Sequence, residues 1–167
     1  GRGKLESEAV VLDTARGVVV RPSLMFGLPA VPRPTTFTRQ LAALRDGAEL
    51  TLFEDEIRTP LWLEDAARAI RAIGESGVAG LLHLAGPERI SRLKMGLAMA
   101  EALGLSTDSI RRVSAGSMSF AEPRPPDVAL DGTRLGELFP NLPPPATVAR
   151  ACARITPEQL AADPIKA

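Results

Sequence analysis

The chain has 167 residues and a mass of 17.7 kDa, which allows one domain or part of a larger one. Its 20 Lys and Arg residues balance 20 Asp and Glu residues, so it lacks the basic excess that is typical of nucleic-acid-binding modules. One Cys and one His exclude an internal disulfide and argue against a metal site, and without Tyr these residues can supply no phenolic proton donor.

Targeting segments, membrane-spanning segments and the start of a protein leave recognisable patterns in a sequence. No apolar run is long enough to span a bilayer and no signal peptide opens the chain, so we expect a cytoplasmic protein without a membrane partner. The first residues already follow a helical pattern, and Gly1 stands where a natural start would have Met. We therefore expect further residues upstream of Gly1.

The first predicted elements are a helix, a buried strand, a loop and a second helix. Apolar residues at helical spacing predict an amphipathic helix over residues 2–15. The β-branched run 18–20 is typical of a strand buried on both faces of a parallel sheet. The prolines of residues 22–34 indicate a loop, and a second helix then extends to Gly47.

The middle of the chain predicts three strands and one helix. Residues 50–53 and 58–63 have the composition of strands, and Pro60 confines the second of them to an edge or a turn. A regular apolar stripe predicts a helix that ends near Gly74. Residues 81–84 predict another short buried strand.

The last third predicts shorter elements. Ser91 is a candidate N-cap for a helix, and residues 110–113 predict a strand. A proline-rich loop over residues 123–126 precedes a short helix that Asp131 can cap. Thr156 begins a capping-box pattern with Pro at the first helical position.

Helices and short buried strands alternate along the chain, which predicts an α/β protein with a parallel sheet and short crossovers. No glycine-rich dinucleotide fingerprint, phosphate-binding loop, zinc-binding helix motif or nucleophile elbow is present. Composition and spacing alone therefore indicate no more than a folded α/β domain.

Five segments, taken together and in order, resemble a known family. Lys4 and Glu8 match the last two residues of a Tyr-x-x-x-Lys-x-x-x-Glu motif. Residues 18–27 form a strand ending in Arg before a Phe-Gly loop, and residues 57–67 an Arg segment ending in Asp-Ala-Ala. Residues 82–86 contain a His-Leu-Ala-Gly strand end, and residues 124–131 an Arg-Pro-x-Asp-x-x-Leu-Asp segment. The chain is similar to the C-terminal part of extended short-chain dehydrogenase/reductases, and most similar in character to their dTDP-4-dehydrorhamnose reductase-like members.

The resemblance implies a domain organisation. Residues 1–140 would be the C-terminal portion of a Rossmann-like, doubly wound parallel sheet together with a small α/β substrate-binding lobe. Residues 141–167 would be a Pro-rich and helical tail. The N-terminal dinucleotide-binding half of that fold is not in this sequence, so it is the expected partner within the same protein, with a homodimer as a further option.

The resemblance also implies residues that act on the cofactor, NAD or NADP. Lys4 would be the catalytic lysine, with its tyrosine one residue before Gly1. A lysine at i+4 faces the same side of a helix as the tyrosine, lowers the tyrosine pKa and can bind the nicotinamide ribose. Pro22 and Ser23 would lie beside the nicotinamide. The alternative for Lys4 is an ordinary solvent-exposed lysine on a helix, and the alternative for Pro22 and Ser23 is a rigid turn.

Three residues are implied to contact a nucleotide-sugar substrate. Arg58 and Arg124 would bind its diphosphate, because a planar guanidinium can bond two phosphate oxygens at once. Phe26 would line the sugar or base pocket. The alternatives are salt bridges with Asp65 or Asp127 for the arginines, and core packing for Phe26.

The function implied is that of an NAD(P)-dependent nucleotide-sugar reductase or epimerase. A non-catalytic nucleotide-binding or regulatory subunit of the same descent is the alternative, and a free-standing α/β interaction domain is a third. The choice between NAD and NADP depends on residues that would lie upstream.

Overall fold

The computed structural model describes residues 1–31, 33–120, 122 and 124–162. Across these residues helices are interspersed with short strands up to β8, as the sequence predicts, and the last elements are helices. The helices are α1 (Arg2–Leu12), α2 (Thr36–Arg45), α3 (Leu63–Glu75), α4 (Arg92–Ala102), α5 (Thr133–Leu138), α6 (Val148–Cys152) and α7 (Pro157–Ala161), with a short 3-10 turn at Ala115–Ser117. The strands are β1 (Val18–Pro22), β2 (Met25–Phe26), β3 (Leu50–Phe53), β4 (Ile57–Arg58), β5 (Leu61–Trp62), β6 (Gly80–Leu84), β7 (Ile90–Ser91) and β8 (Ile110–Val113).

The strands of the described residues pair two by two. β1 is parallel to β6, β2 to β5 and β3 to β8, whereas β4 and β7 are antiparallel. Parallel pairs connected through helices form a Rossmann-like α/β arrangement, which confirms the predicted fold class. Pro22 lies opposite Leu84 in the register of β1 and β6, so the carboxyl ends of these two strands coincide.

The first helix is shorter and less buried than its sequence pattern predicts. α1 ends at Leu12 and has no buried residue, and Leu5 in its apolar stripe is 60% exposed. The chain then turns back close to the helix, where a Cβ atom on Gly17 would lie 1.9 Å from the carbonyl oxygen of Val11. Only glycine fits this approach, and it directs the chain into β1.

The core consists of two clusters of buried residues. The first lies among β2, β5, α2, α4 and α6, and it contains the rings of Phe26, Phe37 and Trp62. The second lies between β6 and the helices α3 and α5, with Leu82 and Leu84 at its centre. The predicted strands and helices therefore supply both cores through their apolar positions.

The segment after residue 140 contributes to the first core. Val148, Ala151 and Cys152 are at most 1% exposed and pack within that cluster. The prolines of residues 140–145 predict the end of a domain, but a proline-rich segment can also cross a surface and lead back into packed structure. Residues 163–167 of the predicted tail, Pro32 of the first predicted loop, and Pro123 of the second lie outside the described residues.

The predicted strand over 58–63 is divided in two. β4 ends at Arg58 and β5 begins at Leu61, with Thr59 and Pro60 between them. Because Pro60 has no N–H to donate, the ladder is interrupted at this residue, as expected for proline. The interruption allows β4 to pair with β7 while β5 pairs with β2.

Candidate functional site

The first two matched segments are joined by an ion pair. Arg21 at the end of β1 donates Nε to Glu8 Oε1 at 2.9 Å, and its Nη2 also bonds Glu8 Oε2. The pKa of Glu8 lies below its ordinary value, mainly because of the hydrogen bonds from Arg21, and the pKa of Arg21 is raised for the same reason. The pair ties α1 to the strand that it precedes.

Lys4 is exposed on α1, one turn before Glu8. Residues four apart share a helix face, so Lys4 lies on the side that Glu8 turns toward β1. Within the described part of the chain the Lys4 ammonium has no hydrogen bond or ion pair, and its three donors are available to another group.

The loop after β1 belongs to the second matched segment, and hydrogen bonds at this loop join it to the other three segments that follow. Ser23 N donates to the carbonyl oxygen of Leu84 at 2.8 Å, and Ser23 Oγ lies 2.8 Å from Thr59 Oγ1. Thr59 is buried and also accepts a hydrogen bond from Leu130 N at 3.1 Å. Pro22 is exposed beside them. The predicted cofactor residues Pro22 and Ser23 thus lie at the common carboxyl end of β1 and β6.

The matched glycine of the fourth segment packs directly against the third. Gly86 N donates to the Thr59 carbonyl oxygen at 3.2 Å, and a Cβ atom at Gly86 would lie only 1.6 Å from the carbonyl oxygen of Pro60. Any side chain would separate the two backbones. The strand end at 82–86 therefore positions the segment that carries Arg58.

The two predicted substrate arginines meet at one buried carboxylate, Glu56. Glu56 is 3% exposed, with Arg124 Nε 3.1 Å from its Oε1 and Arg58 Nη2 3.5 Å from its Oε2. The Arg124 contact is an ion pair without hydrogen-bond alignment, since Oε1 has no hydrogen-bond partner. Arg58 is further fixed by its Nη1, which lies 2.6 Å from the Ile57 carbonyl oxygen. The sequence placed both arginines in one site but did not anticipate Glu56.

Arg124 also lies against two aromatic rings. Its guanidinium carbon is 4.9 Å from the ring centroid of Phe120 and 5.6 Å from that of Phe53. The two rings contact each other edge to face at 6.0 Å. Cation–π contacts of this kind hold the planar guanidinium in place, so Arg124 is fixed by both charge and packing.

Arg92, the first residue of α4, is a third cation beside Glu56, and the sequence pattern did not single it out. Its backbone N donates to the Glu56 carbonyl oxygen at 3.0 Å, and its side chain is half-buried. The pKa of Arg92 lies below its ordinary value, chiefly through burial; Glu56 opposes this shift, and Arg58 and Arg124 add to it. One indication in the sequence marks Arg92 as unusual: it directly follows the N-cap Ser91, where the helix dipole disfavours a positive charge.

The salt bridges considered as alternatives for Arg58 and Arg124 do not form with the expected acids. Asp127 pairs with Arg89, and its pKa is lowered by a hydrogen bond from Ala129 N and then by Arg89. Asp65 pairs with Arg68 and accepts a hydrogen bond from Ala146 N at 2.8 Å.

Phe26 lies in the core. It is 2% exposed, and its ring centroid is 5.3 Å from that of Trp62 and 5.7 Å from that of Phe37. This position favours the packing alternative over substrate contact. The aromatic side chains nearest the arginines are instead Phe53 and Phe120, on and beyond the strands β3 and β8.

His83 and Cys152 occupy structural positions. His83 lies opposite Arg21 in the β1–β6 register, and its Nε2 is buried without a hydrogen-bond partner. Burial raises the pKa of the Cys152 thiol to about 12, so it stays protonated at neutral pH.

Among the described residues no group of three or more His, Cys, Asp or Glu side chains is arranged to hold a metal ion. None of the described helices is both long and apolar enough to cross a membrane.

A cavity of about 550 Å³ opens beside the carboxyl end of β6. Its walls are mainly apolar and come from that strand end, from α3 and α5, and from the prolines before α6. Arg89 and Asp131 stand among its few charged residues.

Parallel strand pairs whose carboxyl ends share one edge, with two arginines in contact with a buried carboxylate, define a Rossmann-like α/β protein. A family model described as the RmlD substrate binding domain matches residues 1–155. The chain belongs to this family, which confirms the resemblance derived from the five segments.

Solved structures share the fold. A dTDP-4-dehydrorhamnose reductase from Yersinia enterocolitica is 19% identical with a TM-score of 0.76, covering 92% of this chain and 54% of that one. A hypothetical dTDP-4-dehydrorhamnose reductase from Sulfolobus tokodaii is 26% identical with a TM-score of 0.65, covering 83% and 47%. A dTDP-glucose 4,6-dehydratase from Bacillus anthracis, solved with NAD, is 17% identical with a TM-score of 0.70, covering 91% and 48%.

The chain spans about half the length of these solved structures. No curated protein matches it in sequence. The likeness to these structures confirms the Rossmann-like fold, and the family assignment rests on the match of residues 1–155.

Proposed function

We propose that this chain forms the C-terminal half of an NAD(P)-dependent reductase or epimerase that acts on a nucleotide sugar. The observation that carries the proposal is the convergence of Arg58 and Arg124 on the buried Glu56. Two guanidiniums held over one carboxylate leave positive charge for a further anion, and the fork geometry of arginine suits phosphate oxygens. The names of the solved relatives, which are reductases, dehydratases and epimerases of nucleotide sugars, support the same class.

Lys4 is the proposed positioning and electrostatic residue of the reaction. Its ammonium is exposed on the helix face that Glu8 and Arg21 hold against β1. We place the proton-transferring tyrosine one residue before Gly1, so that Lys4 faces it at i+4 and lowers its pKa by favouring the tyrosinate. The tyrosine would then protonate or deprotonate the sugar oxygen.

The nicotinamide cofactor, when bound, supplies hydride exchange with the sugar carbon. The residues present fit it: the free donors of Lys4 suit the nicotinamide ribose, and Pro22 and Ser23 form a wall at the carboxyl strand ends where open α/β sheets bind ligands. The Ser23 N–H is already bonded to Leu84, so Ser23 would contribute shape and its hydroxyl rather than a backbone donor.

The remaining parts of the proposal concern the whole protein. An N-terminal dinucleotide-binding half would pair with this chain, and the cytoplasm would be its compartment. A non-catalytic subunit that binds nucleotide without turnover is the competing candidate.

The test is turnover by the full-length protein that carries this chain. Oxidation of NADH or NADPH is followed with dTDP- and UDP-linked 4-keto sugars, and epimerisation of UDP-sugars is followed by chromatography. Lys4→Ala should lower kcat by about 100-fold or more, the usual contribution of acid–base assistance. Arg2→Ala is the matched control, because Arg2 is an exposed cation on the same helix whose side chain pairs with the exposed Glu6 one turn further on.

The outcomes separate the two candidates. Turnover that depends on Lys4 and not on Arg2 supports the enzyme. Nucleotide binding without any turnover by the wild-type protein would replace it with the non-catalytic subunit.

A further inference from the structure

Arg92 occupies a position where the protein itself disfavours a cation. It is the first residue of α4, where the aligned peptide dipoles of the helix give its N-terminus a partial positive charge. Its side chain is half-buried, which removes water from the guanidinium, and Arg58 and Arg124 lie near enough to oppose its charge. Every local effect except Glu56 therefore acts against a positive side chain here.

The Arg92 guanidinium also lacks a partner of its own. Across the described residues it makes no hydrogen bond and no ion pair, although its backbone N is bonded to Glu56. Glu56 is already in contact with Arg58 and Arg124 through its two oxygens. A half-buried arginine without a counter-charge is costly unless another anion meets it.

The β4–β7 ladder places this side chain in the same site. Ile57 lies opposite Ser91 in the antiparallel register, so Glu56 and Arg92 are the next facing pair. Arg58 follows on the same strand as Glu56, and Arg124 reaches Glu56 from the following segment. Arg58 and Arg124 contact the Glu56 carboxylate, and Arg92 lies beside it, near enough for its charge to interact with all three side chains.

The charges of this cluster leave an excess of two. Three arginines (58, 92 and 124) face one Glu56, and the neighbouring Arg89 and Asp127 cancel each other as an ion pair. The diphosphate of a nucleotide sugar carries one ionised oxygen on each phosphate at neutral pH, and so two negative charges. The excess matches this ligand in charge. A terminal monophosphate carries a similar charge, about −1.5 to −2 at pH 7, so a preference for two phosphates depends on reach: two linked phosphate groups can contact more of the three guanidiniums at once than one phosphate group can.

Resting on the proposed function, we infer that Arg92 is the third cation of the diphosphate site and determines its preference for two phosphates over one. It binds the second phosphate, and the N-terminus of α4 favours the same charge. Arg92 thereby trades stability of the unliganded protein for ligand binding, as residues at functional sites often do.

The experiment compares affinities for dTDP and dTMP by isothermal titration calorimetry in the full-length protein. We expect Arg92→Ala to weaken dTDP binding roughly 10–100-fold and dTMP binding less than about 3-fold, because a charge-assisted contact to the second phosphate is lost. Arg92→Lys should fall between, since it keeps the charge but loses the fork. Arg111→Ala is the control, because Arg111 is an exposed cation paired with the equally exposed Glu49.

The melting temperature of the unliganded protein is the second readout. Arg92→Ala should leave it unchanged or raise it, because the substitution removes a disfavoured cation from a helix N-terminus. A lower melting temperature together with weaker binding would indicate a structural role and overturn the inference.

Arg58→Ala distinguishes failure of the inference from failure of the proposed function. If Arg58→Ala loses dTDP affinity while Arg92→Ala retains it within about 2-fold, the role of Arg92 is wrong and the proposed substrate class stands. If neither dTDP nor UDP binds the wild-type protein, both the substrate class and the role of Arg92 are wrong.

Discussion

Replacing Glu56 with glutamine tests the arrangement of the arginine cluster most directly. The amide has almost the same volume as the carboxylate, so Glu56→Gln opens no cavity and removes only the charge that faces Arg58 and Arg124. The nitrogen–oxygen distances of the two contacts are 3.5 Å and 3.1 Å, and Glu56 is 3% exposed. The change therefore leaves closely spaced guanidiniums without their common counter-ion.

The magnitude follows from the burial of the partners. Removing one member of a buried ion pair costs about 3–5 kcal/mol, but the Arg124 side chain is 45% exposed and its contribution is screened by water. We therefore expect Glu56→Gln to lower the free energy of unfolding by about 2–3 kcal/mol. At no more than roughly 2–4 °C per kcal/mol for a protein of this size or larger, the melting temperature falls by at most about 12 °C.

The assay is thermal unfolding of the full-length protein at low and high salt, with Glu49→Gln as the matched control. Glu49 is 67% exposed and lies 3.6 Å from Arg111, so its substitution should change the stability by no more than about 0.5 kcal/mol. Added dTDP should restore part of the stability that Glu56→Gln loses, because the ligand replaces the missing negative charge. Equal melting temperatures for Glu56→Gln and Glu49→Gln would refute the role of Glu56 as the common counter-ion.

Two further predictions concern substrate binding and pH. Arg58→Ala should raise KM for a nucleotide sugar by about 10–100-fold and leave kcat within a few-fold, because a charge-assisted phosphate contact is lost. Steady-state kinetics measure both constants, and an unchanged KM would mean that Arg58 has a structural role. Hydrogen bonds from Ser114 Oγ, Ala115 N and Gly116 N hold the pKa of Asp55 at about 2, below its ordinary 3.8. Because the folded-state pKa is depressed, Asp55 stabilises the fold above about pH 4, and this contribution is lost as the pH falls toward 2. The difference in melting temperature between wild type and Asp55→Asn should therefore shrink with falling pH over this range, and a difference that grows would contradict the assignment.

The sequence predicts well the elements whose signals are local. The β-branched run at 18–20 forms β1, Ser91 caps α4 by accepting a hydrogen bond from Lys94 N, and Thr156 makes the predicted capping box. Each of these depends on residues within a few positions of one another, where side-chain shape and backbone donors act without the rest of the fold. The same holds for the interruption at Pro60, which follows from its missing N–H.

Sequence reasoning is weaker where burial decides the outcome. The proline run after residue 140 is typical of a domain end, yet Val148 and Cys152 of α6 lie in the first core. The aromatic character of Phe26 fits a ligand pocket equally well, and only its packing against Trp62 and Phe37 places it in the interior. Composition cannot distinguish a buried ring from a pocket ring, because both are apolar.

By itself the sequence determined the α/β class and the resemblance to the family, and it predicted a common location for Arg58 and Arg124, which both contact Glu56. Only the tertiary structure decided what surrounds those arginines. Glu56 becomes their common counter-ion, and Arg92 their unpaired neighbour, because β4 pairs antiparallel with β7 and the segment of Arg124 returns to the same place. These contacts join residues far apart in the chain, and their energies arise from shared burial and charge, which no local pattern of residues records.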